Sequence, residues 1–322
     1  MILTPDSATF NISEMQNFTR CRFRWWATWC ANRIPRHESQ PLAFGKLIHK
    51  IFEMHGGGKY NMVECIALYR REWSEMMENA QQHGLDIMDI SMGTKVLKQL
   101  DDLTEALVQW HDIYTFDGPG DIETLEVEEP FLLPMGDGLF ARGRPDRVAV
   151  RQGLLWHVQH KALAAGTKFA VFTDLAQRSY HEHLYMEALA LKYPMYKVGG
   201  TQFDLIRKLK YRTKITKANP LGECKKYEEM FQQIPMSIDL ESPVHEHVMG
   251  SIMQHAMEMR ECQRRWITHG VVPAPNEGAN GGFYGNAPDE YFRVLTGEIE
   301  LDDDRFFQER TDTYAPTETE TD

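Results

Sequence analysis

The hydrophobic periodicity of this chain changes twice, and those changes restrict the available folds more than any other feature. From Ala43 to about residue 115 the apolar residues recur at helical spacing, as in Phe44, Leu47, Ile48, Ile51 and Phe52. Val63 to Tyr69 and Val96 to Trp110 continue the pattern, and Gly118-Pro119-Gly120 stops it. Glu123 to Leu133, Leu139 to Val150 and Leu154 to His160 then read as three strands. The first two are joined by the turn Pro134-Met135-Gly136-Asp137-Gly138, the last two by Arg151-Gln152-Gly153. Helical spacing returns over Asp174 to Tyr193, a fourth strand is expected over Gln202 to Lys210, and residues 225–268 read as helices. A strand meander, a helix and a further strand predict an α/β fold. The expected architecture is a small central mixed sheet with helices on both faces and an inserted helical lobe at about 60–115.

At the N-terminus, Ser13 with Gln16 three residues on reads as a capping box opening a helix through Phe18, Cys21, Trp25 and Trp29. A single domain is expected over residues 1–300. The stretch 301–322 is expected to be an acidic, disordered tail. Of the 322 residues 42% are apolar, with seven Trp and sixteen Phe, which supplies a sizeable core. The formal net charge of -12 argues against a protein that coats DNA through a broad basic surface. It leaves room for an enzyme with a local basic groove and an acidic metal site.

The five cysteines, Cys21, Cys30, Cys65, Cys224 and Cys262, are scattered without a CxxC, so a disulfide framework is not expected. Reduced thiols and a cytoplasmic location are the expectation. No apolar run approaches the ~20 residues of a membrane span. The N-terminus has no basic segment leading into an apolar stretch, so a signal peptide is not expected.

The chemistry concentrates in Gly143-Arg144-Pro145-Asp146 and Trp156-His157-Val158-Gln159-His160-Lys161. Gln159 and Lys161, two apart on a strand, project to the same side, and hairpin pairing can bring Asp146 beside them. A carboxylate and an amide oxygen converging there can hold Mg²⁺, which keeps several waters of its own. The carbonyl of His160 can face the same ion, and Lys161 can orient a nucleophile and offset phosphate charge. Glu128, on the neighbouring strand, either approaches the ion or is a solvated acid. The cluster Arg20, Arg22, Arg24 with Trp25, Trp26 and Trp29 is either a DNA contact or an amphipathic helix with a tryptophan core face. The basic run from Arg207 to Lys217 either lines a phosphate track or is a solvated strand and loop.

These residues resemble the PD-(D/E)XK nucleases, in particular their RecB-like and CRISPR-adaptation-exonuclease branch. Pro145-Asp146 looks like the PD element, and Gln159-His160-Lys161 looks like (D/E)XK with Gln replacing the usual carboxylate. Gly45 to His49 is similar to the GxxxH helix whose His binds metal; Glu53 follows one turn later. His181 to Tyr185 resembles the QxxxY helix, with Tyr185 matching and His181 in place of Gln. Ser13 and Cys21 match the spacing of the N-terminal helix. The resemblance implies a restriction-endonuclease-like fold and Mg²⁺ or Mn²⁺ bound by His49, Asp146, Gln159 and His160. Catalytic roles fall to Asp146, Gln159, Lys161 and Tyr185, and DNA contacts to His181, Arg144, Lys208 and Lys210. It implies a DNA exonuclease of recombination, repair or replication, phage-type in character, working with a recombinase or single-strand-annealing partner. The alternative is a member that keeps the fold and has lost catalysis. No iron–sulfur cluster is expected, because Cys262 alone cannot replace the three C-terminal cysteines that such members use.

Overall fold

The computed structural model describes residues 8–35, 40–56, 59–82, 87–114, 122–163, 169, 179–208, 227–274, 293–294, 299–304 and 307–310. The chain divides into two compact units, one of Met1–Glu38, Gly136–Leu139 and Gln254–Asp322, the other of Ser39–Met135 and Phe140–Met253.

In the first unit, strand β1 (Ala8–Asn11) runs into helix α1 (Ile12–Arg20). The N-cap is Asn11, two residues before the predicted Ser13: its side-chain oxygen accepts from the Glu14 amide at 2.8 Å. The helix expected to reach Trp29 breaks at Cys21, whose backbone is extended (φ -157°, ψ 109°). It resumes as α2 (Arg22–Trp25) and a π-helical turn, Trp26–Cys30. Trp25 is fully buried, edge-on to Phe18 at 5.0 Å, and its Nε1 donates to Glu14 Oε1 at 3.2 Å. Arg22 pairs with Glu258 at 2.8 Å. Strand β2 (Arg33–Pro35) pairs antiparallel with a strand at Phe307–Glu309, inside the stretch expected to be disordered. That stretch is ordered at this point because Phe307 buries its ring with Phe23, Ala27 and Ile299, and that burial holds the backbone in register.

The second unit begins with α3 (Gln40–Gly56), α4 (Met62–Gln82) and α5 (Ile87–Tyr114), the last two lying within the stretch 60–115 expected as a helical lobe. Phe44, Leu47, Ile48 and Ile51 of α3 pack with Leu100, Leu103 and Leu107 of α5. Each such side chain contributes about 2 kcal/mol on burial. The strands follow: β3 (Ile122–Val127), β4 (Phe131–Gly136), β5 (Leu139–Gly143), β6 (Arg147–Arg151) and β7 (Leu154–Leu163). Two predicted long strands are thus each split in two. Glu129-Pro130 and Arg144-Pro145 make the breaks, because proline lacks the amide proton that a ladder needs. The larger sheet has the order β3-β6-β7 and then two further strands, and β4 pairs with β5 in a separate sheet.

Helix α6 (Tyr180–Lys192) carries the chain over to β8 (Lys197–Arg207), which pairs parallel with β7; a parallel pair requires such a crossover. Residues 174–178 of the predicted helix lie outside the described residues. After a short helix α7 (Tyr227–Met230), Phe231–Ser237 forms β9, antiparallel to β8, where helix was predicted. Phe231 and Met236 are buried, and β9 satisfies the backbone groups of β8; Pro235 fits because β9 is the edge strand. Helix α8 (Pro243–His269) follows, and β10 is the Phe307–Glu309 strand. One sheet face packs Ile206 and Phe231 against the α3–α5 layer. The other packs Val148, Leu155, Phe203 and Leu205 against Met186 and Leu189 of α6. No described helix is long and apolar enough to cross a membrane.

Candidate active site

Asp146 closes the turn before β6. Its Oδ2 accepts from the backbone N–H of His160 on β7 at 2.8 Å and lies 3.2 Å from His49 Nδ1 on α3. The strand pairing thus puts the carboxylate beside the hairpin partner, and the apolar face of α3 packs close enough to bring His49 to it. Burial pushes the Asp146 carboxyl up, but the charge and hydrogen bond of His49, with Lys161 and His160, hold it well below the usual carboxylate range.

Glu128 completes the group. It follows β3 with φ 53°, a left-handed conformation that costs a non-glycine residue about 1 kcal/mol. Its amide donates to the Asp146 carbonyl at 3.2 Å, so that conformation is locked to the same turn. Ligand atoms of His49, Glu128 and Asp146 all lie within 4.8 Å of one another. Burial and the Asp146 charge push the Glu128 carboxyl up to about 7, against the opposing pull of Arg144. Arg144 Nε sits 2.7 Å from Glu128 Oε2. The sequence left Glu128 open between ion ligand and solvated acid; the structure faces it into the site. Its positive φ carries no residue signature, since glycine is the residue that normally marks such a position.

Gln159 and Lys161 do share a side of β7, toward α6. The Gln159 amide has one terminal atom 3.1 Å from Glu182 Oε1 and the other 3.3 Å from Lys161 Nζ and 3.1 Å from His181 Nδ1. Donors meet acceptors only with the amide nitrogen toward Glu182 and the oxygen toward Lys161. Glu182, which the sequence reading left without a role, is 2% exposed. It accepts from His181 Nδ1 at 2.9 Å and from the Thr201 hydroxyl at 2.7 Å, and His157 Nδ1 lies 3.3 Å away. Burial pushes its carboxyl up, and the stronger effect of His181 and His157 holds it well below the ordinary value.

His160 turns its ring to the other face, stacked on Phe52 at 4.5 Å with Nδ1 3.5 Å from Asp204 Oδ2. Burial pushes its pKa down to about 3. Its contact with the site runs through its backbone. Tyr185 fixes the Asp146 turn from α6: its hydroxyl accepts from the Arg144 amide at 3.1 Å and donates to the Arg144 carbonyl at 3.3 Å. Its ring can reach because residue 143 is glycine; a Cβ there would lie 2.8 Å from Tyr185 and 2.5 Å from Phe131. Of the expected DNA contacts, His181 is engaged with Glu182 and Gln159, and Arg144 with Glu128. Lys208 is half-buried, its ammonium 5.0 Å over the Phe44 ring, and burial lowers its pKa. Lys210 lies outside the described residues.

The arrangement offers one imidazole and two carboxylates at a point beside a lysine, a set of nitrogen and hard oxygen donors suited to a divalent cation. A family model described as the PD-(D/E)XK nuclease superfamily matches residues 9–268. No curated protein matches the chain.

Proposed function

Because the chain belongs to the PD-(D/E)XK nuclease superfamily, we propose that it hydrolyses DNA phosphodiester bonds with Mg²⁺ or Mn²⁺ held by His49, Glu128 and Asp146. The observation that carries this is the convergence of those three ligand groups within 4.8 Å. Gln159 was expected among the ligands. Its amide oxygen serves Lys161 and His181 instead, and Glu128 supplies the second carboxylate. That carboxylate favours a working enzyme over a fold that has lost catalysis.

The chemistry a cation supplies at this point is polarisation of a phosphate oxygen and a lowered pKa for water. The protein's own groups do the rest. Lys161 presents a charge that Gln159 holds in place, where it offsets the negative charge that builds on the phosphate. The His160 amide and His49 fix Asp146, and Tyr185 fixes the backbone of the turn that carries it. Arg144, paired with Glu128, stands at the same point and can bind the adjacent phosphate when that pair opens. The setting we favour is exonucleolytic processing in recombination, repair or replication, alongside a recombinase or single-strand-annealing partner. Support comes from the GxxxH-like and QxxxY-like helices, each of which delivers a residue to the site.

The test uses end-labelled single- and double-stranded DNA and a circular duplex, with Mg²⁺ or Mn²⁺. Wild type is expected to degrade the linear substrates and spare the circle, and Asp146→Ala and Lys161→Ala to abolish cleavage while staying folded. Undiminished cleavage by either variant removes the mechanism, and cleavage of the circle removes the exonuclease reading.

A further inference from the structure

The geometry points to Glu182 as a positioning residue that dictates a neutral amide at position 159 and, through it, the placement of Lys161. This deepens the proposed nuclease reading and rests on it for the role of Lys161.

Glu182 is buried and offers only acceptors, and every group around it gives a proton: the Thr201 hydroxyl at 2.7 Å, His181 at 2.9 Å, the Gln159 amide at 3.1 Å. Position 159 therefore has to give a hydrogen bond toward α6 while accepting one from Lys161 at 3.3 Å. Glutamine is the one side chain of this length that does both. A glutamate there satisfies Lys161 but sets two carboxylate oxygens about 3.1 Å apart in a buried site, where like charges repel strongly. The motif's usual carboxylate has thus been displaced from β7 to α6. Its charge reaches the lysine through an amide whose flip it prevents.

A reciprocal exchange follows from the same geometry. With Gln159→Glu and Glu182→Gln together, the new amide at 182 can donate to the new carboxylate at 159. Its carbonyl can still accept from Thr201, Lys161 keeps its acceptor, and the second proton of the new amide can go to His181 Nδ1, 2.9 Å away, once that ring carries its proton on Nε2.

The experiment is a double-mutant cycle of Gln159→Glu and Glu182→Gln, read two ways: DNA cleavage with Mn²⁺, and thermal melting with chelator and no metal. Gln159→Glu, which restores the family's usual residue, is expected to lower kcat by about 10- to 100-fold and Tm by roughly 5 °C. Adding Glu182→Gln is expected to recover most of both losses; recovery of kcat well below Tm, where every variant is folded, is the part that a merely structural role for Glu182 would not produce. Gln159→Glu as active and stable as wild type overturns the inference. So does a double variant no better than Gln159→Glu alone. If Gln159→Glu does not fold, recovery of soluble protein in the double variant is the deciding result. A wild type that cleaves no DNA defeats the nuclease reading alone, because the melting cycle still decides the coupling of 159 to 182.

Discussion

Replacing Glu128 by glutamine should stabilise the metal-free protein and at the same time weaken its response to metal. Burial and the facing Asp146 carboxylate push the Glu128 carboxyl from its ordinary 4.5 to about 7. At about 1.4 kcal/mol for each tenfold change, ionised Glu128 costs the native state roughly 3 kcal/mol. The sign is that of a carboxylate whose folded pKa is raised. Its stabilising, protonated form is fully present below 4.5 and is lost as pH rises through about 7. Wild-type protein in chelator should therefore lose about 3 kcal/mol from this group between pH 4.5 and 8. Glu128→Gln does not titrate and should be the more stable of the two, by roughly 1 kcal/mol at pH 5 and roughly 3 kcal/mol at pH 8. Urea denaturation at the two pH values measures this directly. With Mn²⁺ present, wild type should gain stability and Glu128→Gln should gain much less. A Glu128→Gln variant less stable than wild type at pH 8 in chelator refutes the account of why this carboxylate is strained. An equal gain from Mn²⁺ refutes its role as a ligand.

Three further outcomes follow from the same contacts. Gly143→Ala brings a methyl group within 2.5 Å of Phe131 and 2.8 Å of Tyr185, and should cost about 1–3 kcal/mol, with cleavage reduced further as the Asp146 turn shifts. Tyr185→Phe removes the hydroxyl that both accepts from and donates to the Arg144 backbone; it should cost about 1–3 kcal/mol in urea denaturation and lower kcat more than it raises KM. Phe52→Ala takes away the ring stacked on His160 and should destabilise the protein by about 3–5 kcal/mol while leaving Mn²⁺ affinity at folding-permissive temperature within a few-fold of wild type.

The parts of the site that the sequence made legible are those tied to local periodicity. Gln159 and Lys161 share a face because a strand alternates. Asp146 meets β7 because a short turn forces the two strands to pair, and His49 borders, one turn before Phe52, the helical face that Leu47, Ile48 and Ile51 define as inward. The parts that stayed hidden depend on long-range burial or on unusual backbone. Glu128 enters the site through a left-handed residue between β3 and β4, where no glycine marks the place. Glu182 carries no signal in the sequence and stands out only once β8 places the Thr201 hydroxyl 2.7 Å from it. Phe231–Ser237 falls inside the stretch 225–268 read as helical, although Pro235 disfavours a helix interior. It becomes a strand because β8 has an edge to be paired, a tertiary demand that overrides local preference. The break at Cys21 likewise comes from packing Trp25 beneath Phe18, which the spacing of the aromatic residues alone did not disclose.

We propose that His49, Glu128 and Asp146 hold one divalent ion between them. Calorimetric titration of Mn²⁺ into the metal-free protein at pH 8 tests it most directly, with His49→Ala, Glu128→Gln and Asp146→Asn alongside. One site is expected in wild type, with a loss of affinity of at least about tenfold in each variant, largest for Asp146→Asn. Undiminished Mn²⁺ binding by Asp146→Asn would contradict it.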